Sequence, residues 1–158
     1  MKTEIKLYDW ENANEHIKHL EKIIEKDINT LENHCHAEST KERARKKLEN
    51  DRMFLENAKA KKVELEQRME NLKNTDGVFI INVGFIDYAG YPEGHKEYVF
   101  NTFEEAMDFY DNQPKNGYYV YYLEYEPVED YVKKLEEQKA VYLQKVAELD
   151  EEIRKVQR

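Results

Sequence analysis

Two long segments of this chain place apolar residues at alternating steps of four and three, the spacing by which helices pack as coiled coils. Asp51 and Lys62 interrupt the first series, and Lys139 interrupts the second. The first series is Ala44, Leu48, Asp51, Leu55, Ala58, Lys62, Leu65, Met69 and Leu72, and the second is Val128, Val132, Leu135, Lys139, Tyr142, Val146, Leu149, Ile153 and Val156. Each helix must bury this stripe against another element, which restricts the chain to folds built around packed helices.

A third helical segment precedes these two. This helix begins near Asn12 or Asn14, either of which can cap it, and ends near His34. Ser39 and Glu42 have the spacing of a capping box that opens the next helix. We therefore predict a long antiparallel coiled-coil stalk of three helices. Its parts are a helical hairpin in residues 1–75 (helices 12–34 and 39–73) and a C-terminal helix in residues 127–158 that packs back on the stalk.

Lysines meet in this predicted stalk. Counting residues along antiparallel helices places Lys139 at the level of Lys61 and Lys62. The lysine stems can pack while the ammonium groups reach solvent. Alternatively, the charges fix the register or await a carboxylate from a partner.

The segment between the hairpin and the last helix has strand patterns. Residues 78–88 are β-branched and aromatic, residues 96–100 can return as a hairpin, and residues 118–126 form a third strand. Thr102 and Glu105 open a short helix before that third strand. The prediction is an α+β protein whose residues 76–126 form a ββαβ head, with the sheet order 2-1-3 that a right-handed crossover requires.

Negative charge is concentrated in the same region. Between Asp76 and Asp130 there are twelve carboxylates and two lysines, whereas the rest of the chain is close to neutral and the whole chain carries −9. The same window holds nine of the twelve tyrosines. Because tyrosine is favoured at binding hot spots, an acidic surface rich in tyrosine is suited to a basic protein partner.

Strand alternation divides these tyrosines between two faces. Tyr119, Tyr121 and Tyr125 share one face, and Tyr118 and Tyr122 lie on the other with two glutamates. A domain this thin cannot bury both faces by itself, so we expect one face to be available for contact. The predicted partner-binding residues are Tyr91, Glu93, Glu97, Glu104, Asp108, Tyr118, Tyr122, Glu124, Glu126, Glu129 and Asp130.

No pattern in the sequence indicates catalysis or a cofactor. The five glycines lack the spacing of a phosphate-binding loop, and the carboxylate pairs fall on helix first turns and strand ends, where they are solvated. His34, Cys35 and His36 lie in a predicted turn, too far from His16 and His19 to share a metal ion. We therefore expect no enzyme activity, no metal and no cofactor.

One basic run, from Lys41 to Lys47, precedes the acidic window. Its side chains point in several directions around the helix, and acidic residues of the first helix lie opposite, with Asp27 close to Arg45 and Lys46. A solvated face of ion pairs explains the run, and the alternative is a local contact with nucleic acid.

These patterns favour a non-enzymatic protein-binding protein. The expected partner is a protein with a basic surface, such as a nuclease or another nucleic-acid-binding protein, on which carboxylates stand in for phosphates. Net negative charge argues against direct nucleic-acid binding, the absence of a long apolar run argues against a membrane, and the single cysteine favours the cytoplasm. In size, acidity and lack of a catalytic motif the chain resembles the small inhibitors that phages use against DNA-handling defence enzymes, anti-CRISPR proteins among them, which implies the host cytoplasm. The alternative is a structural or assembly protein that self-associates through its coiled coil.

Overall fold

A computed structural model describes residues 4–33 and 37–158. It combines helices and strands, as an α+β protein does. The elements are β1 (Ile5–Lys6), α1 (Leu7–Glu11), α2 (Ala13–Glu32), α3 (Glu38–Lys73), β2 (Val78–Ile86), β3 (Pro92–Phe100), α4 (Phe103–Asp111), β4 (Tyr119–Glu126) and α5 (Val128–Val156).

The sheet has four strands, all antiparallel to their neighbours, in the order β1-β4-β2-β3. The most apolar strand, β2, lies between two others and is buried at successive residues from Val78 to Ile81, as expected for a central strand. The predicted order described only three strands. It omitted β1, which pairs Ile5 with Leu123 at the β4 edge and is too short to show an alternating pattern.

One face of the sheet carries the main core. Phe79, Ile81 and Leu123 pack there with Ala106 and Tyr110 of α4. The end of α3 and the N-terminal segment complete this core through Leu65, Met69, Leu72, Ile5 and Leu7. The hairpin and the start of the chain therefore both contribute to the core of the head.

α4 begins as its sequence predicts. The Thr102 hydroxyl accepts a hydrogen bond from the Glu105 backbone N–H at 3.2 Å, and the Glu105 carboxylate accepts one from the Asn101 N–H at 3.3 Å. The Ser39 capping box was wrong: α3 begins at Glu38, after Ala37, which provides no side-chain cap.

α2 and α3 pack side by side as the predicted antiparallel hairpin. Leu20 is buried on α2, and Ala44 and Leu48 are buried on α3. Asp27 is buried as well, and the Lys47 ammonium donates to its two carboxylate oxygens at 3.0 and 3.2 Å. Asp27 therefore pairs with Lys47, one residue after the predicted Lys46. Ion pairing accounts for this end of the basic run.

The Lys47 ammonium also donates to Asp51 at 2.7 Å. This hydrogen bond is the main cause that lowers the pKa of Asp51, and the bonds to Asp51 and Asp27 raise the pKa of Lys47. A carboxyl with a lowered folded-state pKa stabilises the fold above its unfolded pKa of about 4, and this contribution is lost as the pH falls through the folded pKa.

Replacing Lys47 with methionine is expected to lower the free energy of unfolding by about 1–3 kcal/mol at neutral pH, because two carboxylates lose their shared donor. The acid-induced loss of stability below roughly pH 5, where a carboxyl with a lowered pKa begins to be protonated in the unfolded chain, should then be smaller than in the wild type. Urea unfolding at several pH values measures both effects. Lys46→Met is the control, since Lys46 is exposed and 3.8 Å from its partner Glu42. If the free energy of unfolding changes with pH in the same way for the wild type and for Lys47→Met, the stabilising role assigned to the Lys47 hydrogen bonds is contradicted.

The predicted packing of the C-terminal helix on the stalk is not confirmed. None of the residues of α5 is buried, and Tyr142 and Leu149 are 65% and 58% exposed. The reason lies in α3, whose stripe already packs on α2 near its start and on the head core near its end. Lys139 therefore does not meet the two stalk lysines, which pair instead with Asp9 (Lys61, 3.0 Å) and Glu66 (Lys62, 3.6 Å).

Candidate partner-binding groove

The predicted partner-binding residues do not form one surface. Tyr91, Glu93 and Glu97 lie exposed at the β3 edge and its preceding turn, whereas Tyr118 is exposed just before β4. Glu129 and Asp130 are exposed in the first turn of α5. Glu104 and Asp108 lie one helical turn apart on α4.

The sheet face that was expected to remain available is largely buried. On β2 its residue Ile80 is 1% exposed, and on β4 Glu124 is 8% exposed. Tyr122 and Glu126 are half-buried, and the Glu126 carboxylate lies 3.8 Å from the Lys134 ammonium of α5. Glu124 is thus not a surface residue, which corrects its predicted role, because both faces of this sheet are covered at their centre.

The other tyrosine face packs in the core. Tyr121 is buried, and Tyr119 and Tyr125 are half-buried beside it. The Tyr121 hydroxyl donates to the Pro114 carbonyl at 2.6 Å, and the Tyr125 hydroxyl donates to the Asp76 carbonyl at 3.0 Å. These rings serve the core and hold loops, so the tyrosine content of the acidic window is mainly structural on this strand.

A groove of about 580 Å³ lies between α4 and the end of α3. Its apolar lining comes from three elements: Trp10 of α1, Met69 of α3, and Phe103 and Met107 of α4. Met69 belongs to the buried core, and the other three are partly buried against that core. The floor of the groove is therefore a fixed part of the core that remains reachable from outside.

The rim of this groove is acidic. Five carboxylates and one amine line it: Glu66, Glu70, Glu104, Asp108, Asp111 and Lys73. Lys62 lies 3.6 Å from Glu66, and Lys115 lies 3.9 Å from Asp111. Glu104 and Asp108 are exposed, and no lysine or arginine of the described ranges lies within ion-pair distance of either. These two α4 carboxylates are therefore accessible to a cationic ligand.

Helical spacing on α4 produces one row of apolar side chains on the groove floor and one row of carboxylates on its rim. Phe103 and Met107 are four residues apart, so they share the face of α4 that turns toward the groove floor. Glu104 and Asp108 repeat the same step one residue later and form the rim. The Thr102 cap fixes where α4 starts, and thereby fixes both rows of side chains.

The sequence reasoning found only two of these groove residues. Glu66 and Glu70 lie outside the acidic window, and Asp111 was within it but was not selected. Trp10 was not selected either. The single tryptophan of the chain was nevertheless a usable signal, because this large residue stands in a short apolar segment before the first long helix.

A second cleft lies where α1 meets the end of α4. There the Tyr110 hydroxyl donates to the Glu11 carboxylate at 2.6 Å, and Lys115 lies 3.6 Å from Glu11 and over the Tyr110 ring. Burial, followed by the bond to Glu11, raises the pKa of Tyr110 well above its ordinary value. The three side chains satisfy one another and link α1 to the head.

In residues 4–33 and 37–158, no group of histidine, cysteine, aspartate and glutamate side chains is arranged to hold a metal ion. His34, Cys35 and His36 lie outside the described residues. Within the same ranges, no helix combines the length and apolar character needed to cross a membrane.

Comparison with protein-family models, with curated proteins and with solved structures finds no match to this chain.

Proposed function

We propose that this chain is a non-enzymatic binding protein whose groove accepts a basic segment of another protein. The observation that carries the proposal is the combination of an exposed acidic rim with a floor of Trp10, Phe103 and Met107. Acidic residues alone would be solvated, and an apolar floor alone would suit many ligands. Together they suit a ligand that is both cationic and partly apolar.

Arginine is the side chain that fits this groove best. Its guanidinium can bind a carboxylate such as Glu104 or Asp108 through two hydrogen bonds, and its planar face can stack on the Trp10 indole. The aliphatic part of the same side chain can pack against Met107. A neighbouring apolar residue of the ligand would extend this packing along Phe103.

A basic segment of this kind is typical of surfaces that hold nucleic acid. Carboxylates on the groove rim would occupy the place of phosphates, so the binding would compete with the nucleic acid of the partner. We infer that the target is a nuclease or another nucleic-acid-binding protein, as for a phage-type inhibitor of the anti-CRISPR kind acting in the host cytoplasm. The negative rim itself disfavours direct contact with nucleic acid.

Affinity capture of partner proteins by three immobilised versions of this chain tests this function. These are the wild type, Glu104→Lys with Asp108→Lys, and the control Glu93→Lys with Glu97→Lys, which changes the net charge equally at the β3 edge. The proposal predicts a protein retained by the wild type and the control but not by the groove variant, and released by duplex DNA. A partner retained equally by all three, or one that duplex DNA does not displace, would reject binding through the groove as a nucleic-acid mimic.

A further inference from the structure

α5 is a helix of 29 residues that buries no side chain of its own. Its apolar stripe extends over about four heptads, and a helix without packing partners has only marginal stability in water. We propose that α5 pairs with α5 of a second copy of this chain as a parallel, in-register, two-stranded coiled coil. The inference does not depend on what the groove binds.

The residues of the stripe specify two strands. In heptad notation the a positions are Val132, Lys139, Val146 and Ile153, and the d positions are Val128, Leu135, Tyr142, Leu149 and Val156. β-branched residues at a with leucine at d favour parallel dimers over larger bundles. Three of the four a residues are β-branched, and leucine occupies two of the three internal d positions. Lys139 costs stability but fixes the register, since its ammonium can reach water beside only two strands.

The flanking charges select the parallel orientation. In a parallel pair, each g residue faces the e residue five positions later in the other helix. This places Lys145 opposite Asp150 of the second copy, twice by symmetry, and the other g and e pairings bring no like charges together. In an antiparallel pair Asp150 would face Glu129 or Glu136, depending on the register. Tyr142 would then lie near Lys139, which offsets only part of this repulsion.

The parallel arrangement has a structural consequence. Because β4 ends at Glu126 and α5 begins at Val128, the two heads would emerge at the same end of the coiled coil. One dimer would then carry two grooves. If the proposed groove function holds, a partner with two basic segments would bind the dimer more tightly than it binds a single groove.

Sedimentation equilibrium of the full chain is the first test, without any added partner. The wild type should sediment at twice the chain mass of 19.1 kDa. Leu149→Asp should dissociate at least about tenfold more readily, because it places a charge at a d position. Gln144→Asp adds the same charge at the outward f position and should behave as the wild type. A monomeric wild type at about 100 µM, or equal dissociation of the two variants, would overturn the proposal.

Cysteine cross-linking determines the orientation. In a Cys35→Ser background, Leu149→Cys should form a disulfide with itself when oxidised glutathione accepts the two electrons and protons of the thiol pair. This is expected because d positions of a parallel dimer face each other within disulfide distance. Gln144→Cys is the outward control. A disulfide formed only after mixing Leu149→Cys with Val132→Cys would show an antiparallel pair and overturn the proposal.

Discussion

Replacing Leu123 with alanine is expected to lower the free energy of unfolding by about 2–5 kcal/mol, the range for a leucine truncated in a closed core. Leu123 is 0% exposed and lies across the sheet from both Ile5 and Ile81. The cavity would therefore open at the junction of three strands, where hydrogen-bonded strand pairing on both sides restricts relaxation. Since domains are stable by only about 5–15 kcal/mol, this substitution should remove a large share of the total.

Val99→Ala is the matched control for this prediction, because Val99 lies on the β3 edge and is 42% exposed. This substitution should lower the free energy of unfolding by less than about 1 kcal/mol. Urea unfolding followed by circular dichroism compares both variants with the wild type. A loss for Leu123→Ala no greater than that for Val99→Ala would mean that the strand junction is not the centre of the core.

Reversing the two α4 carboxylates of the groove rim, by Glu104→Lys with Asp108→Lys, is expected to weaken binding of a cationic peptide about 30-fold or more. Each reversal replaces an attraction of about 0.5–1 kcal/mol with a repulsion of similar size. Two reversals together therefore change the binding free energy by about 2–4 kcal/mol, and 1.4 kcal/mol corresponds to a factor of ten. The probe is a short fluorescein-labelled peptide of arginine and leucine, and its anisotropy measures the affinity.

The matched control is again Glu93→Lys with Glu97→Lys, which alters the same net charge on an exposed strand of the head. This control should weaken binding of the peptide by less than about threefold, through long-range electrostatics alone. Equal losses for the two double variants would show that the peptide responds to overall charge and has no preference for the groove.

Local patterns in the sequence were sufficient for the elements with strong periodicity. The α2–α3 hairpin, the central strand and the capped helix at Thr102 follow from spacing and capping chemistry that act within a few residues. β1 could not be found in this way, since two residues show no period and Ile5 is a strand residue only because Leu123 lies beside it. Ser39 failed as a cap because the chain enters α3 through Ala37, two residues before Ser39.

The site was harder to predict than the fold, because residues that are distant in the sequence come together in it only after folding. Charge density along the chain identified the window that contains Glu104 and Asp108, but not the α3 carboxylates that complete the rim. It also included Glu124, which strand alternation places on a face that the folded chain covers. The same limitation affected α5: its stripe was recognised, but the sequence could not show that the α3 stripe packs on α2 and on the head core.

The intrinsic fluorescence of Trp10 tests the central proposal most directly, because Trp10 is the only tryptophan and lies in the groove. The wild type is titrated with an unlabelled arginine–leucine peptide at about 50 and about 500 mM salt, and with a peptide that carries glutamate in place of arginine. The proposal predicts a saturable change in Trp10 emission with the cationic peptide, weaker at high salt, and no change with the acidic peptide. Emission that does not respond to the cationic peptide, or a response indifferent to salt, would contradict binding in the acidic groove.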